Sequence, residues 1–418
     1  MEPDRYLNVR CMAVPPGAAF LRLLKCRVHS LQGDNGSSTL DGATTGSAQG
    51  IIPLMGKNTR IVKVGTVLVG GGHPPPVQTM WKDPLAEKDL DGAVTRIDTL
   101  AGLGCRILRF AVPAMNDVEA LGRLAAMVDM PLVADIHFDW RIALRCLDFP
   151  IAKIRVNPGN LGAPWKLREV ATKAAGKGVP IRIGVNAGSL PKDLAAMYEA
   201  ASGRQAANDP GQVALRAGVL VEAAEREVAA LDASGFTGVI VSMKASSVPD
   251  TVACNRLFAS RHEIPLHIGV TEAGPLVQGC VRSAAALYGL LADGIGDTLR
   301  ISLSSEMENE VIAAAELVCL ATGLREGADI VSCPRCGRAG FDTHGFAARW
   351  RDRILGSAKP VTVAIMGCVV NGPGEARHAD IGITGAGNKI IVFRKGEIAR
   401  TCAPEDADTV FWEEFALL

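Results

Sequence analysis

The hydrophobic positions after residue 59 fall into short β-rich runs that alternate with segments of helical period. A first run, Arg60–Val69, alternates around Gly65 and predicts a hairpin. Strands that alternate with helices favour parallel pairing through right-handed crossovers. Eight strand–helix units over about 245 residues have the size of a (β/α)8 TIM barrel, and the alternative is a doubly wound open sheet. The eight runs that follow the hairpin are Pro76–Met80, Arg106–Val112, Pro131–His137, Ile151–Asn157, Ile181–Asn186, Thr237–Lys244, Leu266–Thr271 and Thr298–Leu303.

The pattern divides the rest of the ordered chain into a connection and a second unit. We expect the barrel over residues 59–305 and a connecting helix and linker over residues 306–330. Residues 331–418 predict a small α+β domain with an apolar strand at Val361–Val370 and a hairpin at Ile381–Ile398.

Residues 1–55 differ in composition and in hydrophobic pattern from the rest of the chain. They combine a basic, mildly apolar stretch with a Ser/Thr/Gly/Asp run that has no apolar period. The pair Pro15–Pro16 interrupts the only candidate core of a targeting segment. We therefore interpret these residues as a disordered extension or as the product of a start codon assigned too early, with Met55 as the true start.

Composition narrows the classes of function. The 44 Lys and Arg residues balance 44 Asp and Glu residues, which argues against a general nucleic-acid binder. The longest apolar run has ten residues, too few to cross a bilayer, so no membrane partner is expected. The eleven cysteines are an odd number and mostly scattered, which indicates a reducing compartment such as the cytoplasm.

The ends of the predicted strands carry cations in apolar surroundings. Such cations are costly unless something compensates them, and arginine and lysine suit the oxygens of phosphate. We therefore predict a site for a ligand with at least two negative charges at the barrel mouth. The alternative is that each arginine forms a structural ion pair with an outer helix. The cations are Arg109, Arg155, Arg182, Lys244 and Arg300.

Other polar side chains occur at the same strand ends. Asp135, His137 and Glu272 are candidates for moving protons or orienting hydroxyl groups. The remaining candidates for substrate binding are Asn186, Ser242, Thr271 and Ser302.

The second unit contains a candidate metal site. Cys333 and Cys336 form a C-x2-C motif, and Cys368 lies 31 residues further on. The spacing alone fits zinc, a redox pair or iron–sulfur, and His344 or His378 could complete a Cys3His zinc site. Glu375 follows on a glycine-rich loop, and its carboxylate as an exchangeable fourth ligand shifts the interpretation towards iron–sulfur.

These segments together resemble the bacterial 4-hydroxy-3-methylbut-2-en-1-yl diphosphate synthase family of the non-mevalonate isoprenoid pathway. The resemblance extends from about residue 59 to the end of the chain. The chain departs from the family after Met80, where Trp81–Pro84 replaces a Thr/Asn-rich turn, so no substrate contact is assigned there. The matching segments are Ala134–Asp139, Arg155–Asn160, Arg182–Ser189, Gly269–Gly274, Gly294–Arg300, Cys333–Cys336 and Gly367–Glu375.

The resemblance implies an oxidoreductase with a TIM barrel and a small [4Fe-4S] domain. Its substrate would be 2-C-methyl-D-erythritol 2,4-cyclodiphosphate and its product 4-hydroxy-3-methylbut-2-enyl diphosphate, with two electrons from flavodoxin or ferredoxin. A head-to-tail homodimer is also implied. The family's cluster ligands map to Cys333, Cys336, Cys368 and Glu375, its diphosphate-binding cations to the five strand-end cations, and its barrel glutamate to Glu272.

Two other interpretations stay open on the residues alone. One is a pterin-binding type of barrel enzyme with an added zinc module. The other is a non-enzymatic iron–sulfur sensor that uses the barrel as a scaffold. A sensor has no need for five cations at the barrel mouth, and a zinc module has no need for Glu375 on a glycine-rich loop.

Overall fold

The computed structural model describes residues 59–85, 89–157, 162–203, 206–369, 374 and 378–418. The expectation for residues 1–55 and the placement of Glu375 lie outside the described residues. Within the described part, the chain forms a parallel eight-stranded sheet and a separate five-stranded sheet, each with its own helices. None of the helices described is both long and apolar enough to span a bilayer.

A hairpin closes the N-terminal end of the barrel. Strand β1 (Val62–Val64) pairs with β2 (Val67–Val69), and Gly65 takes the positive φ of 58° that the turn requires. The buried valines of the hairpin pack on Ile107, Val133 and Ile240 inside the barrel. The predicted hairpin is confirmed, and it acts as an apolar plug beneath the polar interior.

The eight-stranded sheet closes into a barrel. Its hydrogen-bonded order is β8-β7-β6-β5-β4-β3-β10-β9, and a parallel bridge between Val241 and Leu266 joins the two ends. Each predicted run overlaps one observed strand, so the predicted (β/α)8 fold class is confirmed and the open sheet is excluded. The strands are β3 (Val77–Met80), β4 (Cys105–Ala111), β5 (Leu132–Ile136), β6 (Lys153–Val156), β7 (Ile181–Asn186), β8 (Val239–Lys244), β9 (His267–Ile268) and β10 (Thr298–Leu299).

Helices pack around the strands, and polar caps define where several of them begin. Asp89, Asp139, Asp209 and Ser247 each accept a backbone N–H of the first turn, which satisfies donors that have no partner within the helix. The helices of this domain are α1 (Leu90–Gly102), α2 (Met115–Met127), α3 (Trp140–Cys146), α4 (Pro164–Lys177), α5 (Lys192–Ala200), α6 (Pro210–Asp232), α7 (Val248–Arg261), α8 (Leu276–Ala292) and α9 (Met307–Thr322).

Helix α9 belongs to the barrel. The sequence pattern assigns residues 306–330 to a connection out of the barrel, but α9 packs against β3, α1 and α8. Met307, Val311 and Ala314 are buried in the barrel core. Because they recur at the spacing of one helix face, α9 takes the position of the eighth barrel helix.

Among its described residues, the second domain has a five-stranded sheet and two α-helices. The first three strands are parallel and the last two are antiparallel, so the predicted hairpin is confirmed. The predicted apolar strand is shorter than expected and ends at Met366, before Gly367. The elements are β11 (Asp329–Ser332), α10 (Thr343–Leu355), β12 (Thr362–Met366), β13 (Ile381–Ala386), β14 (Lys389–Arg394), β15 (Glu397–Cys402) and α11 (Ala407–Ala416).

The two domains meet near the N-terminal end of the barrel. Arg106, beside the start of β4, forms an ion pair of 2.6 Å with Glu326 in the segment that leads to β11. Leu355 at the end of α10 packs against the barrel core. These junction contacts lie at the opposite end of the barrel from the carboxyl ends of its strands, where barrel active sites are built.

Candidate active site

The strand register brings polar side chains of neighbouring strands side by side in the barrel interior. Asp135 lies opposite Arg155, and Arg155 lies opposite Arg182. On the next pair of strands, Asn186 lies opposite Lys244. Above the apolar plug, the interior is therefore lined mainly by cations.

Asp135 is the carboxylate at the centre of this arrangement. Its Oδ1 accepts a hydrogen bond of 2.8 Å from Nη1 of Arg155, and its Oδ2 lies 3.4 Å from Nε of Arg109. Nε2 of His137 lies 3.4 Å from Oδ1. Burial by itself would raise the pKa of Asp135, but Arg109, His137 and Arg155 together hold that pKa well below its usual range. Asp135 is therefore ionised at neutral pH and holds two arginines in place.

Arg182 and Lys244 have no such partner. Arg182 is 1% exposed, and its Nε and Nη1 have no hydrogen-bond acceptor in the described part of the chain. Lys244 is 7% exposed, and no ion pair is found for either side chain among the described residues. Burial, and then the neighbouring arginines, lower the pKa of both groups. A buried donor without an acceptor is costly. A ligand with negative charge would supply the acceptors that the described residues do not give to this pair.

Two glycines make room for the cations. A Cβ atom at Gly184 would lie 2.6 Å from Nε of Arg155, and one at Gly269 would lie 2.6 Å from Nζ of Lys244. Neither glycine has a positive φ, so the requirement is for space and not for an unusual backbone. The glycines let the two long side chains fold into the interior.

Arg300 differs from the other predicted cations. Its Nε and Nη2 donate to the carboxylate of Glu310 at 3.2 Å, and Glu310 is 1% exposed. The ion pair with an outer helix, considered above as the alternative for each arginine, therefore describes Arg300. This pairing does not test the predicted contact of Arg300 with the ligand, which stays a prediction.

Glu310 was not identified from the sequence. It also accepts from Oγ1 of Thr79 at 2.6 Å and from the backbone N–H of Leu303 at 2.9 Å, and it forms an ion pair of 3.0 Å with Nζ of Lys82. One sign of Glu310 is present in the sequence. It lies three positions after Met307 on the apolar face of a helix, where a carboxylate is unusual. Lys82 belongs to the loop in which the chain departs from the family, so that loop contributes to this network.

The remaining predicted barrel residues occupy the mouth. His137 is 45% exposed at its side chain, and its Nε2 lies 2.6 Å from Nη1 of Arg155. Ser242 is buried on β8, whereas Asn186, Thr271 and Ser302 are half-buried at strand ends.

Glu272 is exposed at the mouth and has a φ of 51°, which is rare for a residue with a Cβ. Such backbone strain costs about 1–3 kcal/mol and is concentrated at functional sites. No hydrogen bond or ion pair is found for the Glu272 side chain within the described part of the chain, so its role stays a prediction.

The cysteines lie together at one end of the second sheet. Cys333 directly follows β11, and Cys368 lies two residues beyond β12, the parallel neighbour of β11. A backbone hydrogen bond of 2.7 Å from Gly340 to Gly367 ties the turn that contains Cys336 to the segment before Cys368. Three thiols from two sequence motifs therefore share one edge.

This arrangement does not match a single-ion site. Among the described residues, no group of three or more His, Cys, Asp or Glu side chains is arranged to hold a metal ion. The Cys3His zinc site considered from the spacing is therefore not assembled. A multi-iron cluster separates its thiolate ligands more widely than one zinc ion does, and Cys333 and Cys336 form no disulfide. Thiolates suit both zinc and iron–sulfur clusters, so the three cysteines are compatible with either group.

Comparison with known proteins decides the family. A model described as the GcpE TIM-barrel domain matches residues 59–315, and one described as the GcpE protein C-terminal domain matches residues 329–416. The chain belongs to the GcpE family. The family is an iron–sulfur enzyme family.

Curated relatives of the GcpE chain carry one name. A 4-hydroxy-3-methylbut-2-en-1-yl diphosphate synthase (flavodoxin) of Treponema pallidum is 49% identical over 363 residues, which cover 84% of this chain and 88% of the relative. The protein of that name from Geobacter sulfurreducens is 44% identical over 360 residues, covering 86% and 98%. Among solved structures, a Yersinia pestis dihydropteroate synthase is 12% identical with a TM-score of 0.42, covering 63% of this chain and 97% of that one. A likeness of that size does not bear on function.

The structure of this GcpE chain adds a buried layer below the predicted residues. Lys153, Gln78 and His267 are each no more than 1% exposed inside the barrel. Nζ of Lys153 donates to Oε1 of Gln78 at 3.1 Å, and Nε2 of both Gln78 and His267 is unpartnered. Lys153 precedes Arg155 by two positions on β6. Because side chains alternate along a strand, this spacing was the sign in the sequence that Lys153 faces the interior together with Arg155.

Proposed function

We propose that this chain is a flavodoxin-dependent 4-hydroxy-3-methylbut-2-en-1-yl diphosphate synthase. It takes 2-C-methyl-D-erythritol 2,4-cyclodiphosphate, breaks one carbon–oxygen bond of the cyclic diphosphate and removes one hydroxyl group as water. Two electrons and two protons balance the reaction, and the linear 4-hydroxy-3-methylbut-2-enyl diphosphate leaves. Membership of the GcpE family and the names of relatives up to 49% identical support this reaction over the pterin-binding and sensor alternatives.

The observation that carries the proposal is the unpaired cation pair Arg182 and Lys244 in the barrel interior. A diphosphate supplies the acceptors that these donors lack, and each charge-assisted hydrogen bond contributes about 1.5–3 kcal/mol. Arg109 and Arg155 line the same interior with half of their charge balanced by Asp135. The site is therefore preorganised for a dianion before any ligand arrives.

The geometry assigns different tasks to the two groups at the end of β5. Asp135 is ionised and engaged by two arginines, so it orients Arg109 and Arg155 and does not donate a proton. His137 lies nearer to solvent and contacts Arg155, so it is the better placed of the two to contact substrate hydroxyl groups. Glu272 on the strained loop is the second candidate for that contact.

The cofactor in this proposal is a [4Fe-4S] cluster held by Cys333, Cys336 and Cys368, with Glu375 as the fourth ligand. When bound, such a cluster supplies electrons one at a time and one iron that can act as a Lewis acid. The chain's own contribution is to hold the thiolates at the ends of β11 and β12. A Cβ at Gly367 would lie 3.2 Å from Cβ of Ala339, so the glycine lets the turn after Cys336 pack closely against the segment before Cys368.

The active unit in this proposal is a homodimer. The junction between the domains lies near the N-terminal end of the barrel, whereas the cations lie towards the carboxyl ends of the strands. A partner's cysteine domain could then close over the mouth. Helix α8, which begins at the mouth, exposes an apolar stripe of Val277, Val281 and Tyr288, whose exposed fractions are 70%, 65% and 48%.

The expected effect of Val281→Asp is a shift from dimer to monomer in sedimentation analysis. Leu320→Asp, on the exposed face of α9, serves as the matched control.

One experiment tests the reaction itself. The anaerobically purified full-length protein is mixed with the cyclic diphosphate and reduced flavodoxin, and the products are separated by mass spectrometry. We expect the linear diphosphate to appear with two electrons consumed per molecule, and reduced ferredoxin in a parallel reaction tests the alternative donor. Absence of product from a brown, cluster-loaded enzyme with both donors would refute the proposal. A reducing compartment such as the cytoplasm is the expected setting because of the exposed thiol of Cys336.

A further inference from the structure

The buried layer of Lys153, Gln78 and His267, here called the barrel floor, contains a lysine that has no part in the function described so far. Lys153 lies on β6 and is completely buried, and its Nζ reaches Oε1 of Gln78 on β3 at 3.1 Å. The two strands are three positions apart in the sheet order, so this contact crosses the barrel interior. It is the one hydrogen bond found for Nζ among the described residues, whereas a charged ammonium has three hydrogens to donate.

The groups that face Lys153 are mostly positive or neutral. Gln78 on β3 accepts from it, the apolar Val133 lies opposite it on β5, and His267 on β9 is close enough for the charge of Lys153 to lower the pKa of its imidazole. The charged groups of the interior are the cations Arg109, Arg155, Arg182, Lys244 and Arg300 and the carboxylates Asp135 and Glu310.

Neither carboxylate is available to the lysine. Asp135 is bound by Arg109 and Arg155, and Glu310 is bound by Arg300 and Lys82. Burial is the largest effect on Lys153 and lowers its pKa, and the positive charges of Arg182 and Arg109 lower the pKa further. The ligand-free interior therefore favours the neutral amine.

A bound diphosphate reverses this balance. It would place two negative charges near Arg182, whose positive charge would then no longer act on Lys153 unopposed. Opposite charge nearby raises the pKa of an amine, and a group whose pKa rises on binding takes up a proton with the ligand.

We propose that Lys153 is a positioning residue of the anion site that becomes protonated when the diphosphate binds. The added positive charge attracts the dianion through space without contacting it, while Nζ of Lys153 continues to hold the amide of Gln78. This inference rests on the proposed function for the identity of the ligand. It does not depend on the cluster or on turnover.

The test is calorimetric titration of the anaerobic full-length enzyme with the cyclic diphosphate. Titrations at pH 7.5 in buffers of different ionisation enthalpy count the protons taken up. A diphosphate that is esterified at both phosphates has no group that titrates near this pH, so the protons counted belong to the protein. We expect uptake of about 0.5–1 proton per bound ligand and affinity that falls as pH rises from 7 to 9.

Two variants separate charge from structure. Lys153→Arg carries a fixed charge, so binding should persist with uptake near zero and with little dependence on pH. Lys153→Met should also lose the uptake, and its affinity should fall about 10-fold or more at pH 7. Exposed Lys177→Met is the matched control and should behave like the wild type. Wild-type uptake near zero, or uptake that persists in both Lys153 variants, overturns the inference.

Sodium sulfate, a dianion that does not titrate in this range, is the second probe. If the wild type binds sulfate with proton uptake but does not bind the cyclic diphosphate, the proposed function fails while the inference about Lys153 stands. If both ligands bind and neither brings a proton, the inference fails while the proposed function stands.

Discussion

Changing Glu310 to glutamine removes one negative charge from the centre of a buried network while keeping the shape of the side chain. The carboxylate is 1% exposed, accepts hydrogen bonds from Arg300 and from the hydroxyl of Thr79, and forms an ion pair with Lys82. In the glutamine variant, the amide oxygen can accept hydrogen bonds from only some of these donors. The amide nitrogen is itself a donor, so it cannot pair with the donors that face it. The guanidinium of Arg300, whose side chain is 13% exposed, is then left without a counter-charge.

The magnitude follows from burial. Removing one partner of a buried ion pair costs about 3–5 kcal/mol because the other charge stays behind. Glutamine retains some hydrogen bonding and Lys82 is 30% exposed, so we expect a loss of about 2–4 kcal/mol for Glu310→Gln. Glu308→Gln is the matched control on the same turn of α9. Glu308 pairs with Arg96, which is 32% exposed and has two further carboxylate partners, so the control should cost less than about 1 kcal/mol.

The assay is urea denaturation of the anaerobic holoenzyme, followed by circular dichroism. A double-mutant cycle with Arg300→Met isolates the pair, and the coupling energy should exceed about 1 kcal/mol. If Glu310→Gln costs no more than Glu308→Gln, or if the cycle shows no coupling, then Glu310 does not neutralise Arg300. In that case Arg300 would return to the set of cations available to the ligand.

Three further predictions concern the anion site and the cluster. Arg182→Met should weaken binding of the cyclic diphosphate by about 10- to 150-fold in calorimetry while the visible absorption of the cluster is unchanged, and equal affinity would show that the guanidinium does not face the ligand. Asp135→Asn should destabilise the barrel by about 3–5 kcal/mol at pH 7 in urea denaturation. The pKa of Asp135 is lower in the folded state, so its stabilisation is present above the unfolded pKa near 4 and is lost as pH falls. The difference between wild type and Asp135→Asn should therefore shrink by about 1 kcal/mol between pH 7 and pH 3, and a constant difference would contradict the assignment. Glu375→Cys should keep a cluster with unchanged or greater resistance to oxygen and lose most turnover, whereas Glu375→Ala should lose turnover with a more fragile cluster. Near-normal turnover of Glu375→Cys with an intact cluster would exclude an exchangeable ligand at that position.

The sequence alone determined the barrel and several of the cations that line its interior. The alternation of apolar runs with helical segments placed all eight strands, because backbone period is a local property that nearby residues set. Strand parity likewise put Arg155 and Arg182 on the interior face before any contact was known. The motifs around Cys333 and Cys368 were sufficient to indicate the family, since they depend on residue type and spacing only.

The tertiary structure decided which charges are paired. Arg109, Arg155, Arg182, Lys244 and Arg300 look equivalent along the chain, yet two share Asp135, one is bound by Glu310 and two have no partner among the described residues. Pairing depends on the distance between side chains from different strands and helices, and no local pattern contains that distance. For the same reason, only the fold revealed that Gly184 and Gly269 make room for cations and that Lys153 reaches Gln78, a residue 75 positions away in the chain.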